Sequence, residues 1–224
     1  MDYVFHFGDI WDARDELLWG TLETLRLSAL AMVLSLIVAV LGAYARTSGP
    51  KWLQKLVAAY VEVIRNTPFL VQIFMLYFGL PGLGLRLDAN EGALLALVLN
   101  GSAYTIEIVR AGIESVGRGQ IEAAHALGLH GFRIFRLVVL PQALRVVVPP
   151  LGSQFILLML NSSVVSVISA DELTAAAQDV QSRTFRPFEA FITATVIYLC
   201  LSLLFSFAFA GLERAAFGRK TVRR

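Results

Sequence analysis

Charge is what this sequence has least of. Of its 224 residues only 16% are Asp, Glu, Lys or Arg, while 57% are hydrophobic. An average soluble domain carries about 25% charged and about 45–50% apolar residues. A water-soluble globule of this composition could not cover its own surface, and a disordered chain is never this apolar. Cysteine is nearly absent, and the single Cys200 cannot form a disulfide scaffold. No large excess of one sign exists either. A net charge of +2 gives no electrostatic footprint for nucleic acid, so no nucleic-acid partner is expected. A G-x-x-x-x-G-K-[ST] phosphate loop is missing too. Gly82-Leu83-Gly84 is short and lacks the Lys, so this polypeptide is not expected to hydrolyse ATP. No catalytic residue, metal site or bound cofactor is read in the chain. What remains is an integral membrane protein.

Charge-free runs mark its spans. Leu27–Ala45, Asn66–Leu85, Val146–Ala170 and Ala190–Leu212 contain no charged residue, and each is about the length that crosses a bilayer core as a helix. A fifth run, Gly92–Ile106, must continue past Glu107 and Arg110 to reach that length. The reading is an all-α membrane protein with five helices at about 17–45, 55–85, 91–116, 146–170 and 190–212. An external segment 1–16 precedes them and a basic tail 216–224 follows. The start of the chain carries Asp2, Asp9, Asp12, Asp15 and Glu16 and lacks the basic region of a secretory signal.

The few charges are sorted by side. Segments 1–22, 81–91 and 171–189 hold four basic residues against eleven acids. Segments 46–55, 117–145 and 213–224 hold twelve basic residues against two acids. Lys and Arg concentrate in cytoplasmic loops, so the N-terminus is expected outside and the C-terminus inside. Five spans cannot form two equal inverted repeats, the usual build of a secondary transporter. Five helices also enclose little space, and a dimer is the natural way to make a solute path.

The loop 117–145 is the longest stretch on the basic side. It reads Glu122-Ala123-Ala124, then Gly128, then Val138-Val139-Leu140-Pro141. Residues 122–127 are good helix formers, and Gly128 permits a helix stop. Phe132 and Phe135 share one face of a second short helix, Arg133 and Arg136 a neighbouring one, with Leu140-Pro141 expected to end it. The unit reads as a helix–turn–helix presented to a cytoplasmic partner, or as an amphipathic loop resting on lipid headgroups.

That spacing resembles the EAA loop of ABC importer permease subunits: Glu-Ala-Ala, three residues, Gly, nine residues, Ile, one residue, Leu-Pro. Val138 stands where Ile is usual. Other segments resemble the polar amino-acid permeases of that family, the histidine, glutamine and arginine type. They are Arg65-Asn66-Thr67-Pro68-Phe69-Leu70-Val71-Gln72, Glu107-Ile108-Val109-Arg110-Ala111-Gly112, and Pro149-Pro150-Leu151-Gly152 with Asn161-Ser162-Ser163. The likeness covers roughly 17–215. It implies the type I ABC importer permease fold in a bacterial cytoplasmic membrane, and ATP-driven import of an amino acid. It implies a cytoplasmic ATPase dimer that carries ATP and Mg, a second permease subunit, and an external solute-binding protein. It also implies that Glu122, Ala123, Ala124, Gly128, Leu140 and Pro141 couple the permease to the ATPase. Before the resemblance is considered, an ion-coupled carrier or channel fits the composition equally well.

Polar groups inside spans are functional candidates by default. Glu62, Arg65, Glu107 and Arg110, with Glu114 on the same stripe, read as a gate or structural network. Thr67, Gln72, Asn100, Gln154, Asn161 and Ser162 read as a solute path, or as amide and hydroxyl glue between helices. Gln154 and Asn161 lie seven apart on one helix face. Resemblance implies that such fourth-span positions can line a pocket, with acids there for cationic solutes. Here both are amides, which points to a neutral or acidic polar amino acid, or to a subunit whose paralogous partner holds the solute. Pro68 is expected to bend or unwind the second span at 65–68.

Overall fold

The computed structural model describes residues 3–218. Arg219, Lys220, Arg223 and Arg224 of the expected basic tail lie outside the described residues, as does Asp2. The regular structure is helical throughout the described residues. It runs α1 Gly8–Asp12, α2 Arg14–Ser48, α3 Lys51–Arg65, α4 Phe69–Gly79, α5 Ala89–Glu114, α6 Arg118–Ala126, α7 Phe132–Ile134, α8 Leu140–Asn161, α9 Leu173–Thr184 and α10 Pro187–Phe217. Four continuous helical stretches are long and apolar enough to cross a membrane: Arg14–Ser48, Ala89–Glu114, Phe132–Ile168 and Pro187–Phe217. The helices Lys51–Arg65 and Phe69–Leu83 are long and apolar enough only together, bent by 110°, and counted as one broken span they bring the number among the described residues to five.

The stretch 55–85 breaks between Arg65 and Phe69, where Pro68 is expected to bend it. Pro68 sits in extended backbone at φ −64°, ψ 134° and offers no N–H to α3. Two other features differ from the sequence reading. Leu140-Pro141 does not end the second helix of the loop. Residues 132–168 run on as one helical stretch, because Phe135–Val139 widens into a π turn before the proline. The Leu140 N–H reaches back to the Phe135 carbonyl, five residues away, so the missing Pro141 donor is accommodated without a stop. Finally, the segment 171–189 is not simply a loop, for it contains α9. Its first turn is capped by the Glu172 carboxylate, which accepts the Thr174 and Ala175 N–H groups at 2.8 and 2.6 Å.

Helix α5 is central. It starts in a capping box, Asp88 accepting from the Glu91 N–H and Glu91 from the Asp88 N–H. It then packs on α2 through small side chains: Ala31, Ser35 and Ala39 on α2, Ala93, Ala96 and Gly101 on α5. A Cβ on Gly101 would stand 2.5 Å from Leu158 Cδ1 and 2.7 Å from Ser35 Oγ. With no hydrophobic drive between helices in lipid, such close backbone approach supplies the packing energy. Helix α10 is peripheral. Only Glu189, Ala190 and Ala194 of it are buried, which leaves a long apolar face outward. Tyr3 OH and the His6 N–H donate to the Glu189 carboxylate at 2.5 and 2.9 Å and strap the N-terminal segment to its first turn.

Candidate functional site

The break in the second span ends α3 and leaves its last carbonyls without helical partners, and in a membrane bundle such groups need partners from the protein. Side chains beside the break supply them. Asn66 Nδ2 donates to the Glu62 carbonyl at 2.8 Å, and Thr67 Oγ1 to the Val63 carbonyl at 2.8 Å. Gln72 Nε2 donates to the Ile64 carbonyl at 2.7 Å, to Thr67 Oγ1 at 2.8 Å and to the Thr67 carbonyl at 3.1 Å. Gln72 Oε1 in turn accepts Asn100 Nδ2 of α5 at 3.0 Å. Thr67, Gln72 and Asn100 are thus brought together. Gln72 and Asn100 are both buried; the Gln72 carboxamide is engaged through nitrogen and oxygen, and the Asn100 nitrogen is taken up by Gln72.

The fourth-span candidates form a separate group. Gln154 is 8% exposed and makes no hydrogen bond among the described residues. Asn161, two turns on, is half-buried. There the helix tightens into a 3₁₀ segment, Ser162–Ile168, and Ser162 Oγ donates to the Met159 carbonyl at 2.6 Å. Among the described residues, the carboxamides of Gln154 and Asn161 both lack a hydrogen-bond partner.

A charged network occupies the far part of α5. Glu107 receives Arg46 of α2 at 3.2 Å and Arg110 at 2.7 Å, and Arg110 also holds Glu114 at 2.5 Å. Arg46 was missed as a network member, since its position at the end of a span looked like loop charge alone. Arg65 does not pair with Glu62. Its guanidinium lies over the Tyr104 ring, 5.3 Å from the centroid.

The loop between α5 and α8 is a small folded unit. Helix α6 ends in a Schellman turn: the Gly128 N–H bonds the His125 carbonyl at 2.9 Å and the Leu129 N–H the Ala124 carbonyl at 3.0 Å. Gly128 takes φ +78°, which a side chain resists. Ala124 is only 4% exposed and packs with Val116, Ile134 and Val139 beneath the surface. Glu122, Ala123, Leu127 and Gly128 are exposed above it. Ala124 therefore holds the unit together from inside, and its neighbours present the outer face. Leu140 is half-buried and Pro141 exposed where the unit enters α8.

With this geometry in hand, the relatives can be compared. A family model described as the binding-protein-dependent transport system inner membrane component matches residues 23–217. The chain belongs to that family. It is 40% identical over 195 residues to the probable glutamine ABC transporter permease GlnM of Bacillus subtilis, covering 87% of this chain and 90% of that one. It is 38% identical over 213 residues to the glutamine transport system permease GlnP of Escherichia coli K12, covering 94% and 97%. The nopaline permease NocM of Agrobacterium fabrum is 39% identical over 88% of this chain and 86% of its own. A crystal structure of an amino acid ABC transporter with histidines superposes with a TM-score of 0.90 at 36% identity, over 95% of this chain and 100% of that one. The methionine transporter MetNI superposes at 0.74 with 23% identity, a likeness of fold.

The protein is accordingly a multi-pass inner-membrane permease subunit of an ATP-driven amino-acid ABC importer, and ATP hydrolysis belongs to a separate subunit. The ion-coupled carrier falls away, because the family is defined by dependence on a binding protein. A permease of this kind works with an ATPase, a second permease and a binding protein.

Proposed function

We propose that this subunit passes a neutral polar amino acid, glutamine being the first candidate, along a path that touches Gln154 and Asn161. The observation that carries the reading is the pair of carboxamides on α8 with no partner among the described residues. The buried carboxylates offer no counter-ion to a cationic solute. Glu172 is filled by two backbone N–H groups and Tyr198, and Glu189 by Tyr3 and His6. The glutamine relatives support the same class.

The N-terminus is taken to face outside and the loop 117–145 the cytoplasm, on the sorting of basic residues. Glu122, Ala123, Gly128, Leu140 and Pro141 then meet the ATPase, with Ala124 seating them. Glu62, Arg65, Glu107 and Arg110 lie on the cytoplasmic side of the path. When ATP closes the ATPase dimer, the loop moves with it and the spans rock between inward-open and outward-open states. The second permease subunit is a further copy of this chain or a paralogue. The test is uptake of labelled L-glutamine into proteoliposomes with the cognate ATPase and binding protein, with L-arginine and L-glutamate as competitors. Gln154→Leu and Asn161→Leu should raise KM and abolish solute-stimulated ATP hydrolysis. An unchanged KM in both would move the path elsewhere.

A further inference from the structure

We propose that Gln72 is the pin of a hinge in the second span: its carboxamide sets the angle between α3 and α4, and it acts on transport through that angle without touching the solute.

A primary amide has two donor hydrogens and one acceptor oxygen. The nitrogen of Gln72 faces three acceptors, at the Ile64 carbonyl (2.7 Å), Thr67 Oγ1 (2.8 Å) and the Thr67 carbonyl (3.1 Å). Its oxygen accepts from Asn100. With its nitrogen donating to these groups and its oxygen accepting from Asn100, the amide has no donor left to meet a passing amino acid. Its position matters as much. Gln72 belongs to the first turn of α4, yet it bonds the Ile64 carbonyl in the last turn of α3. It therefore bridges the 110° break directly.

Both halves are also moored to one short stretch of α5, by different groups. On the α3 side, Tyr60 OH donates to the Leu99 carbonyl at 2.6 Å and sits 2.7 Å from Ser102 Oγ. On the α4 side, the mooring is Asn100 to Gln72. With two separate moorings, the halves can turn about each other once the clasp is released. Non-helical backbone within a membrane bundle persists only while its polar groups are satisfied. Removing the Gln72 donor frees the Ile64 and Thr67 carbonyls together and removes the reason for a single angle.

The experiment places spin labels at Ala59 on α3 and Met75 on α4, both exposed, in a Cys200→Ser background. The permease is reconstituted with its ATPase in nanodiscs, and the distance distribution is measured by electron double resonance. Native Gln72 should give one narrow peak. Gln72→Leu should broaden it or shift it by several Å. Gln72→Glu should do the same, because it can still accept from Asn100 but at neutral pH cannot donate to Ile64; it also serves if the Leu variant fails to insert. Asn100→Ala should leave the 59–75 peak narrow, since it removes a mooring and not the clasp. In uptake, Gln72→Leu should lower the maximal rate of L-glutamine transport several-fold with KM unchanged. A raised KM with an unchanged peak would make Gln72 a solute contact and overturn the proposal. A lower melting temperature with an unchanged peak and rate would make it packing, and would overturn it too. The distance measurement does not depend on which amino acid is carried, so a native protein that ignores L-glutamine would contradict the solute assignment and leave this result standing.

Discussion

Arg46, two residues from the end of α2, donates to Glu107 of α5 at 3.2 Å, and both side chains are mostly withdrawn from solvent. Glu107 is shared with Arg110, and Arg110 with Glu114, so four charges alternate in sign across two helices. A partly buried pair of this kind ties two spans at a chosen register, and it escapes most of the screening that weakens exposed pairs.

The first prediction follows from that alternation. Arg46→Met and Glu107→Gln should each lower the melting temperature in detergent, and together they should lower it by less than the sum. A coupling of about 0.5–3 kcal/mol is expected for residues in one network. It should persist in high salt. Strict additivity of the two changes would mean that the pair contributes nothing to the fold.

Glu172 gives a pH prediction with a definite sign. Its carboxylate is 1% exposed and accepts three hydrogen bonds, one from Tyr198 OH at 2.6 Å. Burial is the largest influence and pushes its pKa above the ordinary value of 4.5, while the hydrogen bonds pull part of the way back. The folded chain therefore holds the proton more tightly than the unfolded chain. The stability it contributes is complete below pH 4.5 and is lost as pH rises through the higher folded value. The melting temperature of the native chain should fall over this interval relative to that of Glu172→Gln. Parallel curves for the two proteins would exclude the linkage.

Much of this architecture could be read from the chain, because charged residues are rare enough that their positions outline the spans. Pro68 announced the break, since its missing N–H and the restriction it places on Thr67 are local properties. The clasp around that break was hidden. Gln72 and Asn100 are 28 apart, and no spacing rule says that an amide turns back to a carbonyl of the preceding helix. Arg46 was hidden for a similar reason, as its partner is decided by how α2 and α5 rotate against each other. Pro141 misled because a proline in a helical pattern usually ends it, and the π turn that absorbs it leaves no mark in the residues. Ala124 shares its motif with exposed Glu122 and Ala123, yet it is only 4% exposed. Which of two adjacent alanines faces inward depends on the fold of the loop.

Gly112 predicts a rescue. A Cβ there would overlap Val147 Cγ2 of α8 and stand 3.2 Å from the Ala143 carbonyl. Val is stiff at χ1 and cannot swing away. Gly112→Ala should therefore cost about 1–3 kcal/mol by overpacking. Adding Val147→Ala should return part of that, although Val147→Ala alone is destabilising. Melting temperatures of the three variants decide it. A double variant less stable than Gly112→Ala would show that the close approach of α5 and α8 is set elsewhere.

Gly128 separates conformation from contact in the coupling loop. Nothing lies within 4 Å of where its Cβ would be, so inside this chain a side chain there clashes with nothing. Its φ of +78° is what the Schellman turn requires to bond the Ala124 and His125 carbonyls. If conformation is the whole reason for glycine, substitutions should rank by their tolerance of the left-handed region. Asn, which visits it readily, should keep most ATP-driven uptake. Ala should lose stability in the loop by about 1–2 kcal/mol, and Val, branched at Cβ, should do worst. If the ATPase approaches the backbone closely at this point, Asn should fail as completely as Val, because any side chain would then hold the subunits apart. Co-purification of the ATPase with the Asn and Val variants therefore distinguishes a glycine needed for the turn from one needed for the docking.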